Sequence, residues 1–269
     1  YKDYALYEMG TAYIAAGNFN SALVKLKILT SAYPTSPYAA KGYLKQGLAL
    51  FNTQQEEKAL TAYKKVVLDY KNTDEAKEAL QALKELYLYL GRPNEYLSFV
   101  QNEAGINIST AERDNLVWES AESQYMSSNC AKATPSLSEY ISLFPNGNSI
   151  VSAHYYRADC LFKANNYSSA MTDYKKVISY GATKYQENSL LKATYIAYEV
   201  NANYAEALTY YEQLNQVASV QSNQEIALIG LLRCNFKLKK YDEVIVNATQ
   251  VLNNNAIKEE VKIEATFYK

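Results

Sequence analysis

The sequence has a single histidine, His154, in 269 residues. Without a second histidine as partner, His154 is a poor candidate for a general base or a metal ligand. We therefore expect it to lie in the core or in a seam between helices. No serine stands in a GxSxG turn, and no glycine-rich loop could cradle a phosphate. The carboxylates are scattered, mainly beside lysines as in Glu56-Glu57-Lys58. These absences predict that the protein is not an enzyme and has no catalytic, metal-binding or cofactor-binding residues.

Cysteine is also scarce, and the three cysteines are Cys130, Cys160 and Cys234. No two of them form a CxxC pair, and an odd count argues against a disulfide framework. Cys160 and Cys234 occupy a position at which other parts of the chain carry alanine. We therefore expect the cysteines to be small buried residues, and they do not identify the compartment.

Neither sign of charge is in excess, since 27 Lys and Arg face 28 Asp and Glu, for a net charge of −1. A protein that binds nucleic acid would more often carry a basic stripe, and none is present. No apolar run is long enough to span a bilayer, and no signal peptide is visible. The sequence therefore predicts no nucleic-acid partner and no transmembrane segment.

The stretch from Ala153 to Gly181 shows what the chain does contain, namely two amphipathic helices around a short turn. Apolar residues recur at the spacing of one helical face on both sides of Ala164-Asn165-Asn166. Asn166 can cap the second helix, because its short side chain can accept hydrogen bonds from free amides there. A lone helical hairpin buries only one side of each helix, so this unit needs neighbours.

The same pattern recurs every 37 residues along the whole chain. The register passes without insertions through seven units, and a fixed period of this kind indicates a helical solenoid. Two columns, one early in each second helix and one four residues later, are apolar throughout: Ala22, Ala59, Tyr96, Ala133, Ala170, Ala207 and Val244, followed by Leu26, Tyr63, Val100, Leu137, Tyr174, Tyr211 and Ala248.

The order of small, aromatic, alanine, aliphatic and proline positions resembles the tetratricopeptide repeat. The first repeat carries it most fully, with Gly10, Tyr13, Gly17, Phe19, Ala22, Leu26, Leu29 and Pro34. The period is three residues longer than the usual 34 or so. The turns at 33–38 and 143–147 are similar to those of bacterial envelope repeat proteins, including the outer-membrane assembly lipoprotein and the Tol-Pal-associated protein. The tyrosine- and asparagine-rich style resembles repeat proteins of Bacteroidetes. The resemblance implies an all-α fold, an alpha-alpha superhelix of seven helical hairpins plus a terminal helix.

The register predicts one solenoid over residues 1–269. Its repeats span about 3–39, 40–76, 77–113, 114–150, 151–187, 188–224 and 225–261, with a half repeat to 269. Repeat three departs from the pattern at Lys84, Pro93 and Tyr96, so a hinge is expected at 101–110. Gly105 is expected to end a helix there, and Ser109 with Glu112 forms a capping box for the next. Because neither end carries a polar cap, we interpret the sequence as an excerpt of a longer protein whose ends could self-associate.

In the family, the first helices of the repeats line a concave groove that binds partner segments. Carried onto this chain, the resemblance gives these candidate groove residues: Tyr7, Phe51, Glu85, Tyr89, Trp118, Glu122, Tyr125, Tyr155, Asp159, Phe162 and Arg233. Three of them, Glu85, Glu122 and Asp159, share one repeat position and could form an acidic ladder. The alternative is that these carboxylates pair within the solenoid, with Arg157 as the expected donor and Glu122 as its partner.

The leading hypothesis is a non-enzymatic scaffold that binds a partner protein or peptide in this groove. The resemblance places it in the bacterial envelope, in the periplasm or at the outer membrane, although the cytoplasm stays open. One alternative is a glycan-binding module of a nutrient-uptake system, in which Trp118 and Tyr155 would stack on sugar rings. Another is the repeat domain of a cytosolic regulator.

Overall fold

The computed structural model describes residues 1–269 and contains fifteen α-helices and no β-strand. The chain forms two compact units, residues 1–123 and 124–269, and the boundary lies inside α7. The first unit contains seven helices, of which the last extends a few residues past the boundary. They are α1 (Lys2–Ala15), α2 (Phe19–Ala32), α3 (Ala39–Asn52), α4 (Glu56–Asp69), α5 (Asp74–Tyr89), α6 (Pro93–Ser98) and α7 (Thr110–Met126).

The second unit holds eight more helices. They are α8 (Cys130–Leu143), α9 (Ile150–Lys163), α10 (Tyr167–Ser179), α11 (Gln186–Tyr195), α12 (Tyr204–Val217), α13 (Gln221–Lys237), α14 (Tyr241–Asn253) and α15 (Glu259–Tyr268). Two π-helical segments, Phe99–Glu103 and Ile196–Val200, continue α6 and α11. This order confirms the predicted all-α repeat architecture of seven helical hairpins and a terminal helix.

Every hairpin turns at the same repeat position, through one residue in the left-handed region. These residues, again 37 apart, are Gly17, Gln54, Gly91, Ser128, Asn165, Ala202 and Lys239, with φ between +48° and +71°. The residue after each one precedes the second helix, and at Asn18, Asn129, Asn166 and Asn203 its side chain accepts a backbone hydrogen bond from three residues further on. A left-handed residue ends one helix and the asparagine begins the next, which makes the turn short. The predicted cap at Asn166 is confirmed.

The two apolar columns form the core of both units. In the first column all five alanines are fully buried, and in the second Leu26, Leu137, Tyr174 and Ala248 are fully buried. Small residues on the first helix of a repeat let the large second-column side chain approach. A Cβ added to Gly10 would lie 2.5 Å from the Leu26 side chain, and one added to Gly47 would lie 2.4 Å from the Tyr63 ring. The spacing of small and large residues therefore fixes how closely the paired helices pack.

A disulfide joins Cys130 to Cys160, with the two Cα atoms 5.2 Å apart. The prediction that the cysteines are merely small buried residues was wrong for this pair, whereas Cys234 is buried and free. Cys130 begins α8, and Cys160 lies in the last turn of α9, the first helix of the following repeat. Packing of successive repeats brings these two positions together, although 30 residues separate them in the sequence.

Repeat three is irregular in the first unit. The π-helical segment ends before Gly105, whose φ is +71°, as the glycine prediction required. The capping box is confirmed, because the backbone N–H of Ser109 donates to Glu112 at 2.8 Å and that of Glu112 donates to the Ser109 hydroxyl at 3.2 Å. Lys84, in place of a small residue, forms an ion pair with Glu119 at 3.4 Å. The hinge at 101–110 stays a prediction.

Candidate binding groove

An open groove of about 530 Å³ lies between α3 and α5, the first helices of repeats two and three. It brings together three of the predicted groove residues, Phe51, Glu85 and Tyr89. The Phe51 and Tyr89 rings meet edge to face, with centroids 5.6 Å apart. Tyr89 is 62% exposed and Phe51 is 37% exposed, so both rings present apolar surface to solvent. Exposed aromatic rings beside a concave surface are typical anchors for a binding partner.

The floor of the groove is formed in part by Tyr63, whose ring packs against Gly47. Tyr63 on α4 reaches the groove between α3 and α5 because Gly47 has no Cβ to block its ring. Leu44 and Leu86, both buried, form the apolar floor beside it, and Leu48 extends it toward solvent. Burial and, to a lesser extent, the charges of Glu78 and Glu85 together raise the pKa of the Tyr63 phenol to about 12. The phenol therefore stays neutral at physiological pH.

The polar wall comes from α5. Glu78, Gln81 and Glu85 follow one face at intervals of three and four residues, as helix geometry requires of neighbours on a surface. The Gln81 amide donates to the Glu85 carboxylate at 2.8 Å. Lys45 lines the opposite wall from α3. The groove thus combines an apolar floor, two exposed aromatic rings and two carboxylates.

Other predicted groove residues of the first unit lie outside this groove. Tyr7 stacks on Tyr38, with ring centroids 5.4 Å apart, so its ring joins α1 to the turn before α3. Trp118 and Glu122 lie on α7 and are partly buried. Neither lines the groove between α3 and α5.

In the second unit, the predicted groove residues pack mainly against one another. Tyr125 stacks on Tyr156 at 4.0 Å between centroids and donates its hydroxyl hydrogen to Asp159 at 2.9 Å. Tyr155 stacks on Tyr185 at 4.3 Å. Burial and the bond to Asp159 raise the pKa of Tyr125. These tyrosines form a seam between repeats, and most of their ring area serves packing.

Phe162 and Arg233 are likewise engaged. The Phe162 ring makes edge-to-face contacts with three tyrosine rings, and the Lys192 ammonium lies 4.4 Å from its ring centroid. Arg233 donates two hydrogen bonds to Glu264 on α15, at 2.9 and 2.7 Å, and this carboxylate raises the pKa of the guanidinium. Arg233 also lines a smaller cavity of about 160 Å³ with Glu199 and Ile229.

A buried charged cluster joins α8, α9 and α10. Arg157 donates to both oxygens of Asp173 at 2.7 Å and to the Ser138 hydroxyl at 3.0 Å, and the Nδ1 atom of His154 lies 2.7 Å from the same carboxylate. The prediction that Arg157 needs an acidic partner holds, but the partner is Asp173 and not Glu122. Sequence reasoning missed Asp173 because its neighbours in the sequence give no sign that it is buried. The signal was its spacing, since it stands 16 residues after Arg157 across one hairpin.

Asp159, the last carboxylate of the predicted acidic ladder, is bonded within the protein. Asp159 accepts the Tyr125 hydroxyl hydrogen and forms an ion pair with Lys163 at 2.6 Å, so internal donors hold it. The glycan hypothesis also weakens, because one face of Tyr155 is covered by Tyr185. Among the predicted residues, the set that forms an open site is the one between α3 and α5.

Repeated helical hairpins with an open groove between successive first helices define a helical-repeat protein. The model of the tetratricopeptide repeat family matches residues 4–36, 42–87 and 152–180. These three segments therefore contain tetratricopeptide repeats, a motif that generally serves as a non-catalytic scaffold for protein–protein interaction. The matched segment 42–87 contains most of the groove.

Solved structures similar to this chain include PilF of Pseudomonas aeruginosa, which is 20% identical over 84% of this chain and 96% of that one, with a TM-score of 0.38. A tetratricopeptide repeat protein of Parabacteroides merdae is 14% identical over 99% and 98% of the two chains, with a TM-score of 0.36. The C-terminal part of a repeat protein of Cytophaga hutchinsonii is 13% identical over 96% and 98%, with a TM-score of 0.43. Comparison with curated proteins found no match. None of the helices is long and apolar enough to cross a membrane.

Proposed function

We propose that this protein is a non-enzymatic scaffold that captures a segment of a partner protein in the groove between α3 and α5. The observation that carries the proposal is the pair of exposed rings, Phe51 and Tyr89, above a buried leucine floor. Such rings are costly to leave in water and gain most when a partner covers them. The groove volume of about 530 Å³ falls within the roughly 300–1,000 Å³ of ligand sites and suits a short stretch of chain.

We further propose that the protein works in the bacterial envelope. The resemblance of its turns to those of envelope repeat proteins supports this location. The Cys130–Cys160 disulfide supports it as well, because disulfides persist in oxidising compartments such as the periplasm and are rare in the cytosol. Cell fractionation, with alkylation of free thiols before reduction, tests the location. Protein found in the cytosol with all three cysteines alkylated would overturn it.

A photo-crosslinking amino acid at position 89 tests the groove in the cells that make the protein. Tyr241 on α14 is the matched control site, because it is 59% exposed against 62% for Tyr89 and lies outside the groove. We expect a discrete crosslinked partner from position 89 and none from position 241. The Leu48→Ala/Phe51→Ala variant should lower the yield at position 89. Equal adducts from both positions, or none from position 89, would contradict the proposal.

A further inference from the structure

We infer that the segment captured in this groove carries a lysine or arginine next to an aliphatic side chain. The inference rests on the proposed function, since it names the chemistry of what the groove takes. Two features carry it, the charges on the groove walls and the shape of the apolar floor between them.

The walls of the groove are negative on balance. Glu78 and Glu85 are both exposed on α5, seven residues apart on one face, and neither forms an ion pair with a lysine or arginine of the chain. Gln81 lies between them and satisfies only one acceptor of Glu85. Lys45 is the single cation among the lining residues and makes no ion pair within 4 Å. Two carboxylates that lack cationic partners favour a cation from the partner.

The apolar floor sets where that cation lies. Leu44, Leu48 and Leu86 line the base of the groove, and the Phe51 and Tyr89 rings close one end. An aliphatic side chain fits between the leucines. The stem of a neighbouring lysine or arginine then covers the apolar wall while its charged end reaches Glu78 or Glu85. An acidic neighbour would meet two like charges.

The negative potential extends to the floor. The charges of Glu78 and Glu85 add to burial in raising the pKa of Tyr63 to about 12. A carboxylate in the partner segment would therefore be disfavoured at the base of the groove as well as at its wall. This supports selection for a basic segment and against an acidic one.

Random peptide display on the intact chain tests the inference. The enriched sequences should pair lysine or arginine with leucine, isoleucine or methionine. An enriched peptide is then made in three forms, with its basic residues kept, changed to glutamine or changed to glutamate, and binding is followed by fluorescence anisotropy. At low salt the basic form should bind roughly fivefold more tightly than the glutamate form, and high salt should reduce this ratio to less than roughly twofold.

Two charge-matched variants locate the effect. Glu78→Gln/Glu85→Gln should abolish the ranking of the three peptides, whereas Glu259→Gln/Glu260→Gln on α15 removes the same charge outside the groove and should preserve it. Equal binding of all three forms, still lost in Phe51→Ala/Tyr89→Ala, would overturn the inference and leave the proposed function standing. Binding that survives Phe51→Ala/Tyr89→Ala would overturn both. Enrichment of acidic peptides, or of none, would overturn the inference alone, because partner capture by crosslinking tests the groove independently.

Discussion

The Arg157 guanidinium and the Asp173 carboxylate form a two-pronged ion pair across the hairpin of repeat five, with both N–O distances at 2.7 Å. Asp173 is 2% exposed, so the carboxylate has exchanged its water for Arg157 and His154. A buried charge of this kind is tolerated only when partners satisfy it. The ion pair therefore links α9 to α10, and loss of either side chain would leave a buried charge on the other helix.

Asp173→Asn should lower the free energy of unfolding by roughly 3 kcal/mol, because it leaves Arg157 without a counter-charge in a largely buried site. Urea unfolding followed by circular dichroism measures the loss. Asp69→Asn is the control, since Asp69 forms an exposed ion pair with Lys65 that contributes little. A loss for Asp173→Asn no larger than that for Asp69→Asn would contradict the prediction.

The same pair predicts a dependence on acid. Burial opposes the charge on Asp173, but hydrogen bonds from Arg157 and His154 outweigh it and lower the pKa of the carboxyl below its ordinary value of 3.8. A group whose pKa is lower in the folded state stabilises the fold fully above its unfolded pKa. This contribution is lost as pH falls below 3.8 through the folded pKa. The gap in stability between wild type and Asp173→Asn should therefore be constant at neutral pH and narrow below about pH 4.

The disulfide should stabilise the second unit. In the chain-entropy account, closing a loop with a sequence separation of 30 contributes roughly 3–4 kcal/mol. Reductant should lower the urea midpoint of wild type and leave that of Cys130→Ala/Cys160→Ala unchanged. Cys234→Ala, which removes a free cysteine, should keep the response to reductant. An identical midpoint with and without reductant in wild type would contradict the prediction.

The hairpin turn of repeat six carries a backbone cost that glycine would relieve. Ala202 has φ +48°, a region in which a Cβ meets the carbonyl oxygen that follows it. Ala202→Gly should raise the free energy of unfolding by roughly 0.5–1 kcal/mol after the entropy cost of glycine is subtracted. Gly17→Ala is the reciprocal test in repeat one, because a Cβ there would meet no atom within 4 Å and only backbone strain would change. Gly17→Ala should lower the free energy of unfolding by a similar amount. Thermal melts in which Ala202→Gly and Gly17→Ala change stability in the same direction would contradict this.

Two substitutions at Tyr174 distinguish the contribution of its ring to stability from that of its hydroxyl. The side chain is fully buried, and its hydroxyl has no hydrogen-bond partner. Tyr174→Phe should therefore be neutral or raise stability by roughly 1 kcal/mol, because the unsatisfied group is removed. Tyr174→Ala should cost roughly 3–5 kcal/mol, since it leaves a cavity between α9 and α10. A substantial loss in Tyr174→Phe by chemical denaturation would show that the hydroxyl is bonded.

Much of the fold follows from residues close together in the sequence. Asn166 caps its helix through an amide three residues away, and Gly105 ends one through its own φ, so local reasoning predicts both. The sequence could also have predicted the left-handed turn position that recurs from Gly17 to Lys239. Two of the residues at that position are glycine and one is asparagine, the residues that most readily adopt a positive φ. The groove residues Phe51, Glu85 and Tyr89 were predicted from the family resemblance. The structure places them along one groove, and their binding role stays a prediction.

The remaining features depend on contacts between helices. The sequence does not tell whether Tyr89 faces solvent or whether Tyr155 is covered by a ring such as Tyr185, because both are tyrosines at first-helix positions. Arg157 was expected to find a carboxylate, yet the choice between Glu122 and Asp173 required the packing of α9 on α10.

The sequence by itself determined the repeat, its 37-residue period, the hairpins and the apolar columns, because each arises from periodic spacing along one chain. The tertiary structure alone decided that Cys130 and Cys160 are joined, that Asp173 is buried with Arg157, and that one groove stays open while the tyrosine seam of the second unit closes. The physical reason is that burial and pairing depend on distances between side chains of different helices. Residues with the same repeat position and the same chemistry can therefore differ in function when their neighbours differ.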